Sequence, residues 1–324
     1  MIYVCNVPGL KKWDEPNQIK NILDDLEVYK NKIVGLELCH NSIGEKCAQA
    51  LGQKIKNLKY LRQINLSDCF VSRGSEELPK CLKYILESII DKPIKELNIS
   101  DNALGPTASS GYEMFFKNNK TLEKLYLNNC GMGPIGTPNL MKILKEKKTL
   151  KELKISDNEI DSKGLQLFFD TIKSNENICS IDINNNTLSN KVKTIPEILS
   201  TLSNIYHLNL SDLTIEDRNI IKNIFESLPK LNELREFGFE YNISDIDFDE
   251  KEKAKFVSDL FECLLKVKNL KEVHLENNDI PKDVYTKYVP QFKKKGLYLF
   301  SCYSEEEKEN DEIDNEIDMT DLNK

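Results

Sequence analysis

Polar and apolar residues alternate around Leu97 and Ile99, which is the period of a half-buried strand. Elsewhere apolar residues recur at helical spacing, as at Leu165, Phe168, Phe169 and Ile172. The two patterns take turns along the chain. The template L-x-x-L-x-L-x-x-N/C-x-L fits at Ile33, Leu61, Ile94, Leu122, Leu150, Ile178, Ile205, Leu234 and Leu270, with steps of 28, 33, 28, 28, 28, 27, 29 and 36 residues. Its Asn/Cys slot holds Asn41, Cys69, Asn102, Cys130, Asn158, Asn186, Asn242 and Asn278, with Leu213 as the exception. Nine strand-and-helix units are therefore predicted. None can bury its apolar face alone, so they must stack into an α/β solenoid, a leucine-rich repeat crescent with an inner parallel sheet and outer helices.

This division predicts an N-terminal cap over residues 1–32, including a helix within "DEPNQIKNILDDLEVY", a repeat domain with its C-terminal cap over 33–303, and a tail over 304–324. The slot residues are expected to be structural, since an Asn where the chain leaves a strand can satisfy backbone groups that burial would leave unpaired.

Charge changes the picture at one end. Residues 304–324 carry ten acidic and two basic residues, so their net charge of −8 equals that of the whole chain and leaves the remainder balanced. The tail is expected to be disordered. A neutral body with an acidic tail argues against nucleic acid and for a partner with basic surface. The opening "MIYVCNVPGLKKW" lacks the charged start and long apolar run of a signal peptide, and no run reaches membrane-spanning length. Nine cysteines without C-x-x-C spacing fit a reducing, cytoplasmic setting.

Phosphate-loop, zinc-protease and nucleophile-elbow motifs are absent from the sequence, and the three histidines, His40, His207 and His274, fall in different repeats and are expected to be ordinary surface groups. What remains is the edge where the strands end. One position per repeat gives His40, Asp68, Asp101, Asn129, Asp157, Asn185, Asp212, Tyr241 and Asn277. Stacking should align these as a partly acidic rim at about 4.8 Å per repeat. The long second unit adds "SDCFVSRGSEELP", which puts Arg73 on an inserted loop and lets Glu76 and Glu77 open a helix. Such an Arg is expected at an exposed tip, contributing nothing to the core.

The 28-residue period, "SDCFVSRGSEELP", "ISDNALGPTA", "LYLNNCGMGP" and the acidic tail together resemble the Ran GTPase-activating protein family. The resemblance implies a regulator, with no cofactor, metal or catalytic centre of its own, that stimulates GTP hydrolysis by a Ran-like small GTPase in its GTP form. It further implies a monomer in a cytoplasmic or perinuclear location that supports nucleocytoplasmic transport, with no direct contact to nucleic acid or membrane. Arg73 matches the family's important Arg and Asn129 its Asn in L-Y-L-x-N, both helping to position the GTPase's catalytic groups. Asp101 and Asn102 match its "SDN", and with Asp68 and Asp157 they are expected to touch the partner. Ser75 stands where the family loop often has a basic residue, and the chain is expected to lack the further C-terminal domain of animal members. The residues alone leave open a non-catalytic repeat scaffold or inhibitor that binds a basic protein, for which Arg73 would be dispensable.

Overall fold

The computed structural model describes residues 1–5, 10–106, 108–187, 195–199, 201–244 and 246–303. The acidic segment 304–324 lies outside them. Its strands are β1 Ile2–Val4, β2 Lys11–Trp13, β3 Gly35–Glu37, β4 Asn41–Ile43, β5 Gln63–Asn65, β6 Glu96–Asn98, β7 Lys124–Tyr126, β8 Glu152–Lys154, β9 Ser180–Asp182, β10 His207–Asn209, β11 Glu236–Gly238, β12 Glu272–His274 and β13 Tyr298–Phe300. Its helices are α1 Lys20–Val28, α2 Glu45–Ile55, α3 Glu77–Ser88, α4 Ser109–Asn118, α5 Gly133–Leu144, α6 Ser162–Lys173, α7 Ile195–Leu199, α8 Arg218–Ser227, α9 Glu250–Lys266 and α10 Lys282–Lys295.

Eleven of these strands form one parallel sheet in the order β1-β3-β5-β6-β7-β8-β9-β10-β11-β12-β13, and each of the nine template units supplies one of them. The register aligns Leu36, Ile64, Leu97, Leu125, Leu153, Ile181, Leu208, Phe237 and Val273 as a single buried column. A one-residue slip would turn all nine toward solvent, which is why the repeat period is kept so strictly. The sequence pattern did not announce the strands at the two ends: β1 pairs with β3 and β13 with β12, so both flanks extend the sheet. A separate two-stranded sheet joins β2 to β4 in parallel.

The slot residues connect neighbouring turns of the solenoid. Asn158, fully buried, donates from Nδ2 to the carbonyls of Leu127, Ile155 and Ser156 at 2.7, 3.1 and 2.8 Å. Its Oδ1 accepts from the amides of Cys130 and Met132, both at 3.2 Å. Where the slot holds cysteine, the thiol takes over the donor half: Cys69 Sγ donates to the Leu38 carbonyl at 3.0 Å and Cys130 Sγ to the Ile99 carbonyl at 3.4 Å. Burial pushes both thiols up, that of Cys130 to about 12, so they stay protonated donors. Leu213 has no such group, and there the amide of Leu213 is taken by Asn242 Oδ1 of the next repeat at 2.9 Å.

Asn158→Ala should therefore destabilise the chain by about 1 to 3 kcal/mol, because buried backbone groups on two repeats lose their partner. Chemical denaturation measures it. An unchanged midpoint would contradict the structural role of the slot.

Candidate functional site

The site lies where the strands end. His40, Asp68, Asp101, Asn129, Asp157, Asn185, Asp212, Tyr241 and Asn277 all have φ between 49 and 60°. This left-handed region is costly for most side chains and easiest for Asn and Asp, which explains the residue types in seven of the nine positions. The backbone locks the conformation by continuing the ladder: the Asp101 amide donates to the Asn128 carbonyl at 2.8 Å, and the Asn129 amide to the Ser156 carbonyl at 2.9 Å.

Side chains then pair along the rim. Asn129 Nδ2 donates to Asp101 Oδ1 at 3.1 Å, Asn185 Nδ2 donates to Asp157 Oδ1 at 2.6 Å, and His40 Nδ1 lies 2.9 Å from Asp68 Oδ2. Asp101, Asn129 and Asp157 are exposed and Asp68 half-buried, so the rim offers carboxylates and carboxamides in fixed orientation to anything docked along it. Beside Asn129, the residues Asp157, Glu159, Asn185, Asp212 and Thr214 help line an open pocket of about 410 Å³. A larger cavity, of about 750 Å³, lies away from the rim between α4 and α5, lined by Lys117, Lys142 and Lys147 among others.

Two expected site residues are placed differently. Asn102 is 1% exposed. Its Nδ2 donates to the carbonyls of Leu66, Ile99 and Ser100, and its Oδ1 accepts from the amides of Cys69 and Phe70. It has no face left for a partner, and the expectation that it touches one is corrected: the repeat slot outranks the motif.

Arg73 is the second. Its side chain is 3% exposed rather than free at a loop tip. Nη1 donates to Asp14 Oδ1 at 2.5 Å and to Glu77 Oε1 at 3.3 Å, while Nη2 donates to the carbonyls of Ser42 at 2.5 Å and Trp13 at 3.3 Å. The guanidinium fork thus joins the end of β2, the strand β4 and the first residue of helix α3, a geometry for which Arg is suited and Lys is not. The Arg73 hydrogen bond holds the Asp14 carboxyl below its ordinary range. Gly44 makes the room, since a Cβ there would sit 2.8 Å from Arg73 Nη1 and 3.0 Å from the Trp13 carbonyl oxygen. The expectation that this side chain contributes nothing to the core is overturned, because the cap strand β2 and helix α3 supply partners that the repeat pattern does not reveal.

The histidines also depart from expectation. His207 and His274 stand on β10 and β12, two strands apart, and their side chains are 15% and 28% exposed. His207 Nδ1 lies 3.0 Å from Glu236 Oε2.

On the inner sheet face, Glu123 accepts from Lys151 at 2.7 Å and meets Lys95 at 2.8 Å, and these hydrogen bonds hold its carboxyl at about 2. A depressed folded value contributes stability above the ordinary value near 4.5 and loses it as pH falls toward 2. The difference in stability between the parent and Glu123→Gln should shrink across that window, from under about 1 kcal/mol because the pair is surface-exposed. Urea denaturation at several pH values measures it, and a difference that grows on acidification would contradict the assignment.

No protein-family profile matches the chain. Curated relatives do. Ran GTPase-activating protein 1 of Xenopus laevis is 27% identical over 109 residues, 33% of this chain and 19% of the relative. The Ran GTPase-activating protein of Drosophila melanogaster is 28% identical over 108 residues, 33% of this chain and 18% of the relative. Ran GTPase-activating protein 1 of Saccharomyces cerevisiae is 30% identical over 93 residues, 25% of this chain and 23% of the relative. The chain thus matches about a fifth of each relative's length. Among solved structures, an internalin from Listeria monocytogenes aligns over 90% of this chain and 78% of its own at 15% identity, with a TM-score of 0.49. Among the described residues no helix is long and apolar enough to cross a membrane. The chain is a leucine-rich repeat protein similar to the Ran GTPase-activating proteins.

Proposed function

We propose that the chain stimulates GTP hydrolysis by a Ran-like small GTPase in its GTP form. In this reading it acts as a cytoplasmic monomer in support of nucleocytoplasmic transport. The GTPase brings nucleotide, magnesium and a water-orienting glutamine, so an activator has to improve the arrangement of those groups. The observation that carries the reading, beside the three relatives, is the Asp101–Asn129 pair, an exposed carboxamide held in one orientation by a neighbouring carboxylate and a locked backbone. A fixed amide can hydrogen-bond the partner's catalytic groups without reorganising during the reaction. Asp68, Asp101 and Asp157 supply the flanking contacts to the partner's basic surface.

Arg73 has a different part in this proposal. Its guanidinium is committed to Asp14, Glu77 and two carbonyls, so it acts as a positioning residue that sets the shape of the loop leading from β5 to α3. The same burial favours a second reading, a repeat scaffold that binds its partner without accelerating hydrolysis. Ran loaded with GTP, mixed with substoichiometric amounts of the purified chain, separates the two: turnover supports activation, and binding without turnover supports the scaffold.

A further inference from the structure

The inner sheet face changes character along the solenoid. On β7 and β8, and at the residues that precede them, charges are paired, with Lys95 and Lys151 on Glu123 and Lys124 on Glu152 at 2.9 Å. On β11 and β12, and at the residues that follow them, stand Glu236, Glu240, Glu272 and Glu276. Among the described residues no Lys or Arg lies within 4.0 Å of any of these four carboxylates. The groups that face them are the imidazoles of His207 and His274, the latter held flat against the Phe300 ring at 4.5 Å.

The carboxylates crowd this imidazole from both sides. Atoms of Glu236, Glu272 and His274 lie within 4.8 Å of one another, and so do those of Glu240, His274 and Glu276. Burial, and then the charge of Glu276, pushes the Glu240 carboxyl up, and Glu276 Oε2 is buried without a hydrogen-bond partner. Like charges held together in this way favour the arrival of a cation.

Aromatic rings flank the patch. Tyr298, aligned with Glu272 in the sheet register, is 70% exposed. Tyr241 is 50% exposed and takes the rim position, with φ 56°, that Asp or Asn fills in seven other repeats. The positive φ belongs to the repeat and is shared by all nine rim positions; what sets this one apart is the exposed ring.

We infer that the inner face of β11 and β12 is a second docking surface, which takes an arginine- and lysine-bearing segment of a protein partner onto Glu236, Glu240, Glu272 and Glu276 between Tyr241 and Tyr298. Charge complementarity names the occupant: guanidinium and ammonium groups satisfy crowded carboxylates, and guanidinium also stacks on tyrosine. The segment after Tyr303 has the wrong sign to cover the patch, with ten acidic residues against two basic ones. The surface is four strand steps from the strand that precedes Asn129, about 20 Å along the sheet, so it lies apart from the Asp101–Asn129 pair and does not depend on the reading given to that pair.

The test uses the full chain and a fluorescent ten-residue peptide of alternating arginine and glycine, followed by anisotropy. The parent should bind, and more weakly as salt rises. Glu240→Gln with Glu276→Gln should weaken binding at least tenfold without lowering the melting temperature, since the change relieves repulsion. Tyr241→Asn, which gives this repeat the residue type of its neighbours, should keep the fold and weaken binding severalfold. Removing the same charge elsewhere, by Glu176→Gln with Glu226→Gln, should leave affinity within twofold and so discounts net charge alone. Equal binding by the parent and the Glu240/Glu276 variant would overturn the inference. So would one-to-one binding of zinc or manganese that displaces the peptide and is lost in that variant, because the carboxylates would then hold a metal.

Discussion

Replacing Asn129 with Ala should slow stimulated GTP hydrolysis by Ran about 10²- to 10³-fold, the usual loss when one preorganised hydrogen-bonding group is removed from a transition state. The side chain is exposed and donates to Asp101, so packing is not at stake. Backbone strain is, because Ala at φ 51° costs about 1 kcal/mol where Asn is tolerated. Asn129→Gly removes that complication. It should keep the parent's stability and still lose activity to the same degree. Affinity for the ground-state complex should fall far less than the rate in both variants, since the contact is proposed to matter in the transition state. Single-turnover hydrolysis and equilibrium binding measure the two quantities; a glycine variant as active as the parent would remove Asn129 from the proposal.

Arg73→Ala should destabilise the chain by about 2 to 4 kcal/mol. Hydrogen bonds to charged groups contribute about 1.5 to 3 kcal/mol each. The sum is discounted here because the carboxylates of Asp14 and Glu77 remain 53% and 36% exposed and can be rehydrated. The carbonyls of Trp13 and Ser42 lose a donor outright. Asp14→Ala should reproduce part of the loss, and the double variant should cost less than the two single losses added, because both remove one shared contact. Activation should fall along with the order of the cap and should be partly rescued at low temperature. A variant of full stability and no activity, with Asp14→Ala silent, would instead place the Arg73 side chain at the partner.

The repeats were legible because their signal is redundant: a single apolar column, from Leu36 to Val273, is written nine times in the same register. The rim was legible for a local reason, since Asp and Asn recur where the backbone must enter the left-handed region. Asn102 was misread because its motif and its repeat slot coincide, and burial decides between them. Arg73 could not be read from its own surroundings. Two of its partners, Trp13 and Asp14, precede it by 60 and 59 residues, at the end of a strand outside the repeat pattern and just after it. The same holds for β1 and β13, which lie outside the repeat template and form because the sheet ends offer unpaired backbone. His207 and His274 look remote along the chain, yet a parallel stack brings their strands within two steps of each other.

The most direct measurement is single-turnover hydrolysis of GTP on Ran, with the purified chain present at a tenth of the Ran concentration. The account predicts acceleration by several orders of magnitude over Ran alone, the range in which activators of small GTPases act, with the chain turning over many Ran molecules and Asn129→Gly failing to do so. An unchanged hydrolysis rate, at that ratio and again with the chain in excess over Ran, would contradict it.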